Sequence, residues 1–247
     1  SCFLNCTKNN FFHHIFFRKA IFFNIIIYIF IEKILKKFFF ILCILIFLSG
    51  CSKADDFEKG VAAEIKGNYI EAIKWYTKGA LKEDLDCQFN LGTFYQEGKG
   101  VSIDFKEAAK WYQKSSDNGG HRASYNLARM YYEGIGFPQN YEKAFLLYKK
   151  SASKDNNYAQ RMIGNMYYLG QYVQKDFQEA IKWYERATKN NDIEAPNTIG
   201  HLFYNGIGVQ KDKVKAYHWF LKAVKRGNKT AQKNLDLLCT ESAWVCK

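Results

Sequence analysis

Proline is nearly missing from this 247-residue chain, with two in all, and cysteine stops at seven. So little proline beside 48% apolar residues excludes a disordered or proline-rich linker protein, and seven cysteines over this length are too few for a disulfide-built scaffold. Acids are also short: 24 Asp and Glu stand against 36 Lys and Arg, a formal net charge of +12. Over a whole folded surface such an excess points to nucleic acid or an anionic membrane, so its location matters. What is abundant is aromatic side chain, 17% of residues, and it is unevenly divided.

Residues 1–50 differ in kind from the rest. Among them 23 are Ile or Phe, and the only acid is Glu32. The apolar run Phe38–Leu48 is well short of the roughly 20 residues a membrane-crossing helix needs. It has the length of a signal-peptide hydrophobic region. Lys36 and Lys37 precede it, and it ends in Leu48-Ser49-Gly50-Cys51. This resembles a bacterial lipobox (48–51), which implies cleavage before Cys51, diacylglycerol on its sulfur, and 51–56 as a lipid-anchored tether. The product is then exported, on the periplasmic face of an outer membrane or at the cell surface. Several acyl chains on one cysteine anchor firmly, whereas a single chain binds only marginally. Two readings of the upstream part stay open. The chain begins with Ser1, and Ala20–Ile31 is a second apolar run, so either the true start lies near Leu35 or Ala20–Leu48 forms one or two membrane segments.

After Cys51 a period of 36 governs the sequence. Trp75-Tyr76, Trp111-Tyr112, Leu147-Tyr148, Trp183-Tyr184 and Trp219-Phe220 share it. So do Leu91-Gly92, Leu127-Ala128, Ile163-Gly164 and Ile199-Gly200, and Gly98, Gly134, Gly170 and Gly206; in the glycine position two residues further on, only Tyr172 departs. A fixed period of this size marks stacked supersecondary units, none able to bury its apolar face alone. Each unit holds two helical patterns. Helix A runs from about Cys87 to Gln96 with Cys87, Leu91, Phe94 and Tyr95 on one face, and glycine closes it. Helix B opens at Asp104 with Glu107 three residues on, a capping-box signature repeated by Asp176 and Glu179 and by Asn68 and Glu71. The expected fold is an all-α, right-handed solenoid of αα-hairpins. Its parts are a first hairpin at 57–86, four repeats at 87–122, 123–158, 159–194 and 195–230, and a capping helix at 231–247.

The pattern Leu-Gly, Tyr-x-x-Gly-x-Gly-Val, Asp-(Phe/Tyr)-x-x-Ala-x-x-Trp-Tyr resembles the Sel-1-like repeat, a relative of the tetratricopeptide repeat, over nearly all of 57–247. The first hairpin lacks the Gly-x-Gly loop and looks more like an ordinary tetratricopeptide unit. The resemblance implies an adaptor for protein complexes at membranes. It also implies what is missing here. Some secreted relatives staple each hairpin with cysteines eight residues apart, where this chain has Ala80 and Gln88, Ser116 and Ser124, Ala152 and Gln160. Beyond the leader, Cys87, Cys239 and Cys246 remain. Export permits a disulfide, and Cys239 with Cys246, close together in the cap, is the expected pair; three unpaired core thiols are the alternative.

Secreted cysteine-rich relatives are described as β-lactam-binding or β-lactam-hydrolysing, so chemistry needs testing on residues. Ser151-Ala152-Ser153-Lys154 fits Ser-x-x-Lys, and Ser116-Asp117-Asn118 fits a second β-lactamase motif. Their order is reversed relative to those enzymes, and both fall at one place in consecutive repeats, expected to be a polar turn after helix B. His121, His201 and His218 are isolated and show no zinc spacing. No catalytic residue, metal or cofactor is therefore assigned.

What remains is the helix-A face opposite the buried stripe. One row reads Thr93, Arg129, Asn165, His201; the next Gln96, Tyr132, Tyr168, Tyr204; the third Phe89, Tyr125, Arg161, Asn197. Tyrosine, arginine and asparagine without lysine or glutamate are suited to recognition, since rigid rings and planar donors lose little entropy on binding. The expected function is a membrane-anchored monomeric scaffold holding a protein or peptide in its concave groove; an envelope hydrolase of the β-lactamase kind is the alternative. Loss of 1–50 would lower the charge from +12 to +7, with +6 of it in 201–247. Nucleic acid is therefore not expected as a partner.

Overall fold

The computed structural model of the chain describes residues 55–246. Cys51, the 48–51 lipobox, the 1–50 segment and most of the 51–56 tether lie outside them. Among the described residues eleven α-helices follow one another: α1 over 55–65, α2 (Tyr69–Ala80), α3 (Leu85–Glu97), α4 (Phe105–Asp117), α5 (His121–Glu133), α6 (Tyr141–Ala152), α7 (Asn157–Leu169), α8 (Phe177–Lys189), α9 (Ala195–Asn205), α10 (Lys213–Val224) and α11 (Lys229–Glu241). A 3-10 turn at Ala243–Val245 follows α11, and no strand occurs among the described residues. From α2 to α11 each helix packs on the next, which makes an α solenoid of hairpins with odd-numbered A helices and even-numbered B helices.

Helix boundaries follow from side-chain capping. Asp104 accepts from the amides of Lys106 and Glu107, and Asp176 from those of Gln178 and Glu179; Asn68, Asn140 and Asp212 do the same for their own B helices. These oxygens satisfy amides that have no partner inside the helix. At the other end, Gly98, Gly134, Gly170 and Gly206 close the A helices at φ between 71° and 74°, a region open to glycine without steric cost. Helix α3 begins at Leu85, two residues before the expected Cys87, because the Asp84 carboxylate takes the Cys87 amide at 2.7 Å.

Five columns at the 36-residue spacing make the core. Tyr76, Tyr112, Tyr148, Tyr184 and Phe220 are essentially fully buried on the B helices, beside Ala72, Ala108, Ala144, Ala180 and Ala216. The A helices supply Leu91, Leu127, Ile163, Ile199 and Leu235; Phe94, Met130, Met166, Leu202 and Leu238; and Cys87, Ala123, Ala159, Ala195 and Ala231. Of each Trp-Tyr pair, tyrosine therefore takes the interior. Trp75, Trp183 and Trp219 sit half-buried and Trp111 more deeply, each under a cation three residues on: Lys78 at 4.8 Å, Arg186 at 5.5 Å, Lys222 at 4.9 Å and Lys114 at 4.2 Å.

The tyrosine column dictates how closely the two helices of a unit approach. A Cβ on Gly92 would lie 2.7 Å from the Tyr112 ring, and one on Gly164 2.6 Å from the Tyr184 ring. Gly164→Val should therefore lower stability by about 1–3 kcal/mol, the cost of overpacking a filled core. Urea unfolding followed by circular dichroism reads this as an earlier midpoint; an unmoved midpoint would show that the ring is free to retreat.

Candidate functional site

Tyr112 and Tyr184 on the B helices bring their hydroxyls to the A-helix residues 19 positions earlier, members of the first of the three rows expected to face outward, whereas Tyr76 donates to Glu64 Oε2 at 2.9 Å. Tyr112 makes the fullest set: its hydroxyl donates to Gln96 Oε1 at 2.8 Å, accepts from Asn126 Nδ2 at 3.2 Å, and lies 3.1 Å from Thr93 Oγ1. Tyr184 donates to Asn165 Oδ1 at 2.8 Å. Phe220, opposite His201, has no hydroxyl to satisfy. Tyr148 is the exception, because the residue opposite it is Arg129, which has only donors. Tyr148 is fully buried, and neither its hydroxyl nor the buried Arg129 Nε finds a partner among the described residues. Burial pushes the Tyr148 phenol far above its ordinary range, with Tyr125 and Glu133 adding to the effect and Arg129 opposing it. The hydroxyl therefore keeps its proton and remains a donor.

The rest of the nominated face is partly committed to holding repeats together. Tyr132 donates to Gln171 Oε1 at 2.8 Å, Asn197 accepts from Asn234 Nδ2 at 2.9 Å, and Tyr204 donates to Glu241 Oε2 at 2.6 Å, each reaching into the next unit. Arg161 Nε donates to Asp192 Oδ2 at 3.0 Å, and the buried Asp192 also takes the amides of Glu194 and Ala195 at the start of α9. Phe89 packs 5.8 Å from Tyr112 under the Arg122 guanidinium, and Tyr168 packs 5.5 Å from Phe177. Rings also gather around Tyr148: Tyr125 is 5.8 Å from Tyr148 and 5.9 Å from Tyr158, and Tyr132 is 6.3 Å from Tyr148. Tyr158 is 52% exposed and His201 is exposed.

Sequence reasoning did not single out Tyr148, Tyr158, Asn126 or Asp192 for this face. Tyr148 carries a readable signal: at the position 19 before the tyrosine, Thr93 and Asn165 are acceptors and Arg129 is not.

Where the cysteine-rich relatives would be stapled, hydrogen bonds stand instead. Ser116 and Ser124 hydroxyls meet at 2.8 Å, Gln88 Nε2 donates to the Ala80 carbonyl at 3.2 Å, and Gln160 Nε2 to that of Ala152 at 3.3 Å. Ser115 and Ser151 donate to the carbonyls of Leu85 and His121, at 2.9 and 2.7 Å, pinning each B helix to the A helix before it. The expected polar turn is thus corrected: Ser115, Ser116 and Ser151 lie buried in the last turns of α4 and α6, because a small hydroxyl fits against the neighbouring helix, where Ser115 and Ser151 donate to the carbonyl of that helix's first residue. The hydrolase alternative gains no support from such buried and occupied serines. No group of three or more His, Cys, Asp or Glu comes together among the described residues. Cys239 and Cys246 form a disulfide with Cα atoms 5.7 Å apart, and Cys87 is a buried free thiol whose pKa burial drives far up.

A sequence model described as Sel1 repeat matches residues 57–84, 85–120, 121–156, 157–192 and 199–228. Among solved structures, a Sel1 repeat protein from Oxalobacter formigenes is 32% identical with a TM-score of 0.69, over 74% of this chain and 76% of its own. A protective antigen of uropathogenic Escherichia coli strains, displaying an SLR fold, is 28% identical with a TM-score of 0.72 over 77% of this chain. The chain spans 42% of that antigen's length. No curated protein matches significantly.

The Arg161–Asp192 contact is open to a direct test. Asp192→Ala removes the cap of α9 and leaves a largely buried guanidinium unpaired, so a loss of about 2–4 kcal/mol is expected. Denaturant titration measures the loss, and faster amide exchange confined to α9 locates it.

Proposed function

The chain belongs to the Sel1 repeat family, and from that premise we propose a lipid-anchored scaffold that holds a peptide segment of a partner protein along the A-helix row, the concave groove of the solenoid, in the cell envelope. A Sel1 repeat array is a scaffold for protein interactions. The observation that carries the finer reading is the run of half-buried rings Tyr125, Tyr132 and Tyr168 on consecutive A helices, with Tyr158 exposed beside them. Rings fixed by neighbouring rings lose little freedom on binding and offer apolar area with a polar tip. Main-chain amides of an extended peptide would find hydrogen-bonding groups at the first row, in the manner of Thr93 and Asn165.

Anchoring rests on the Leu48-Ser49-Gly50-Cys51 sequence and on the short apolar run before it. No helix among the described residues is long and apolar enough to cross a membrane. On this reading the lipid on Cys51 supplies the attachment. The basic excess in 201–247 would face an anionic surface or an acidic partner.

Two measurements check these parts separately. Metabolic labelling with an alkyne fatty acid should mark the native chain and not the Cys51→Ser variant; equal labelling of both would remove the anchor. Photo-crosslinking in the native envelope should capture a partner that is lost in a Tyr125→Ala, Tyr168→Ala double variant whose far-ultraviolet helical signal persists; unchanged capture would remove the groove.

A further inference from the structure

We propose that the groove holds its peptide by a carboxylate, seated between the Arg129 guanidinium and the Tyr148 hydroxyl. This rests on the peptide-groove reading above and names the chemistry it recognises. Three observations carry it. First, two buried donors close enough to act on each other electrostatically, the Arg129 Nε–H and the Tyr148 O–H, have no acceptor among the described residues, whereas the equivalent hydroxyls of Tyr112 and Tyr184 are satisfied from within. An unmet buried polar group costs about 1–3 kcal/mol, so a fold retaining two of them has a deficit that an incoming acceptor would cancel. Second, Arg129 makes no ion pair within 4 Å among the described residues, while the nearby Arg161 is already neutralised by Asp192. Third, Tyr125 and Tyr132 wall the point with their rings, which lowers the local dielectric and strengthens a charge-assisted bond.

The donors select the acceptor. A guanidinium offers Nε–H and one Nη–H side by side, the spacing at which the two oxygens of a carboxylate accept, and the Tyr148 hydroxyl supplies a third donor to one of them. Charge points the same way. A single unbalanced positive charge matches a monoanion, and Glu133, one turn further along α5 and acting on Tyr125, Tyr132 and Tyr148, makes a dianionic phosphate a worse fit. The carboxylate can come from an Asp or Glu side chain or from the end of a peptide.

The experiment presents the purified full chain, in detergent, with arrayed random octapeptides in four forms: Gln at position 4 with an amidated end, Glu at position 4 with an amidated end, Gln with a free end, and phosphoserine with an amidated end. At least one of the carboxylate forms should bind about tenfold or more tighter than the amidated Gln form, the size expected for charge-assisted bonds, and which one does so identifies the source. Arg129→Gln should abolish that preference. Tyr148→Phe should weaken it several-fold yet leave the melting temperature of the free protein unchanged or raised, whereas Tyr112→Phe, which removes a satisfied hydroxyl, should lower it. Binding indifferent to the carboxylate, or strongest for phosphoserine, would overturn this inference and leave the groove standing. A Tyr148→Phe melting temperature that falls as far as that of Tyr112→Phe would also overturn it, by showing the hydroxyl to be structurally engaged. Absence of binding in every form would bring down the groove reading and this inference with it.

Discussion

A tyrosine or phenylalanine ring laid where the facing helix has glycine is the contact on which four of the five hairpins depend; in the other, Ala128 stands at the glycine position. The Tyr112 and Tyr184 rings lie so near Gly92 and Gly164 that a methyl group would overlap them, and Phe220 meets Gly200 in the same way. That approach fixes the separation of helices A and B. The separation in turn decides that the residue just before the tyrosine, usually tryptophan, is left at the margin, where a cation three positions on covers it. Interiors are packed too closely for both rings to share one side of the helix.

A tyrosine in that position carries a consequence that phenylalanine would not. Its ring is buried from one side of the unit, but its hydroxyl emerges under the A helix, 19 residues back in sequence, and buried hydroxyls need partners. The first row of the face is therefore coupled to the core: Thr93 and Asn165 are bound to the interior by the hydroxyls they meet. His201 is released from this duty because Phe220 stands opposite. Arg129 is the member of the row that cannot discharge it. The row thus contains a polar deficit where Arg129 stands opposite Tyr148, set by a single side-chain choice, while the hydroxyls of Tyr112 and Tyr184 in the flanking units are met.

Much of this architecture can be read from the amino acids alone. The 36-residue period, the Asp and Asn caps and the glycine stops are local signals, and local signals survive without knowledge of packing. Three features are not legible in that way. Which member of a Trp-Tyr pair is interior depends on a rotation of one residue about the helix, which aromatic character does not distinguish. The burial of Ser115 and Ser151 depends on carbonyls 30 residues away, so a polar cluster followed along the chain looks like a turn. Arg161 looks available because Asp192 lies 31 residues on, at the far end of the same repeat, and only folding of the hairpin brings them to 3.0 Å. Repeat proteins hide their pairings at one period's distance, so an alignment of the units against one another is more informative than a scan along any one of them.

That distance also explains why the face divides into structural and open parts. Contacts such as Tyr132 to Gln171 and Tyr204 to Glu241 join a residue of one A helix to the next unit, and they hold the relative rotation of successive repeats. In a solenoid stabilised by nearest-neighbour interfaces, such rotations set the curvature of the whole array. Without cysteine staples inside the four repeats, the chain relies on these polar bridges and on serine and glutamine contacts at the hairpin ends. A recognition surface built on the same residues must spare the bridges. The remaining freedom is small and falls at positions like Arg129, whose buried Nε has no partner among the described residues, so that on the proposed groove reading a substitution there would change what is bound without changing how the units stack.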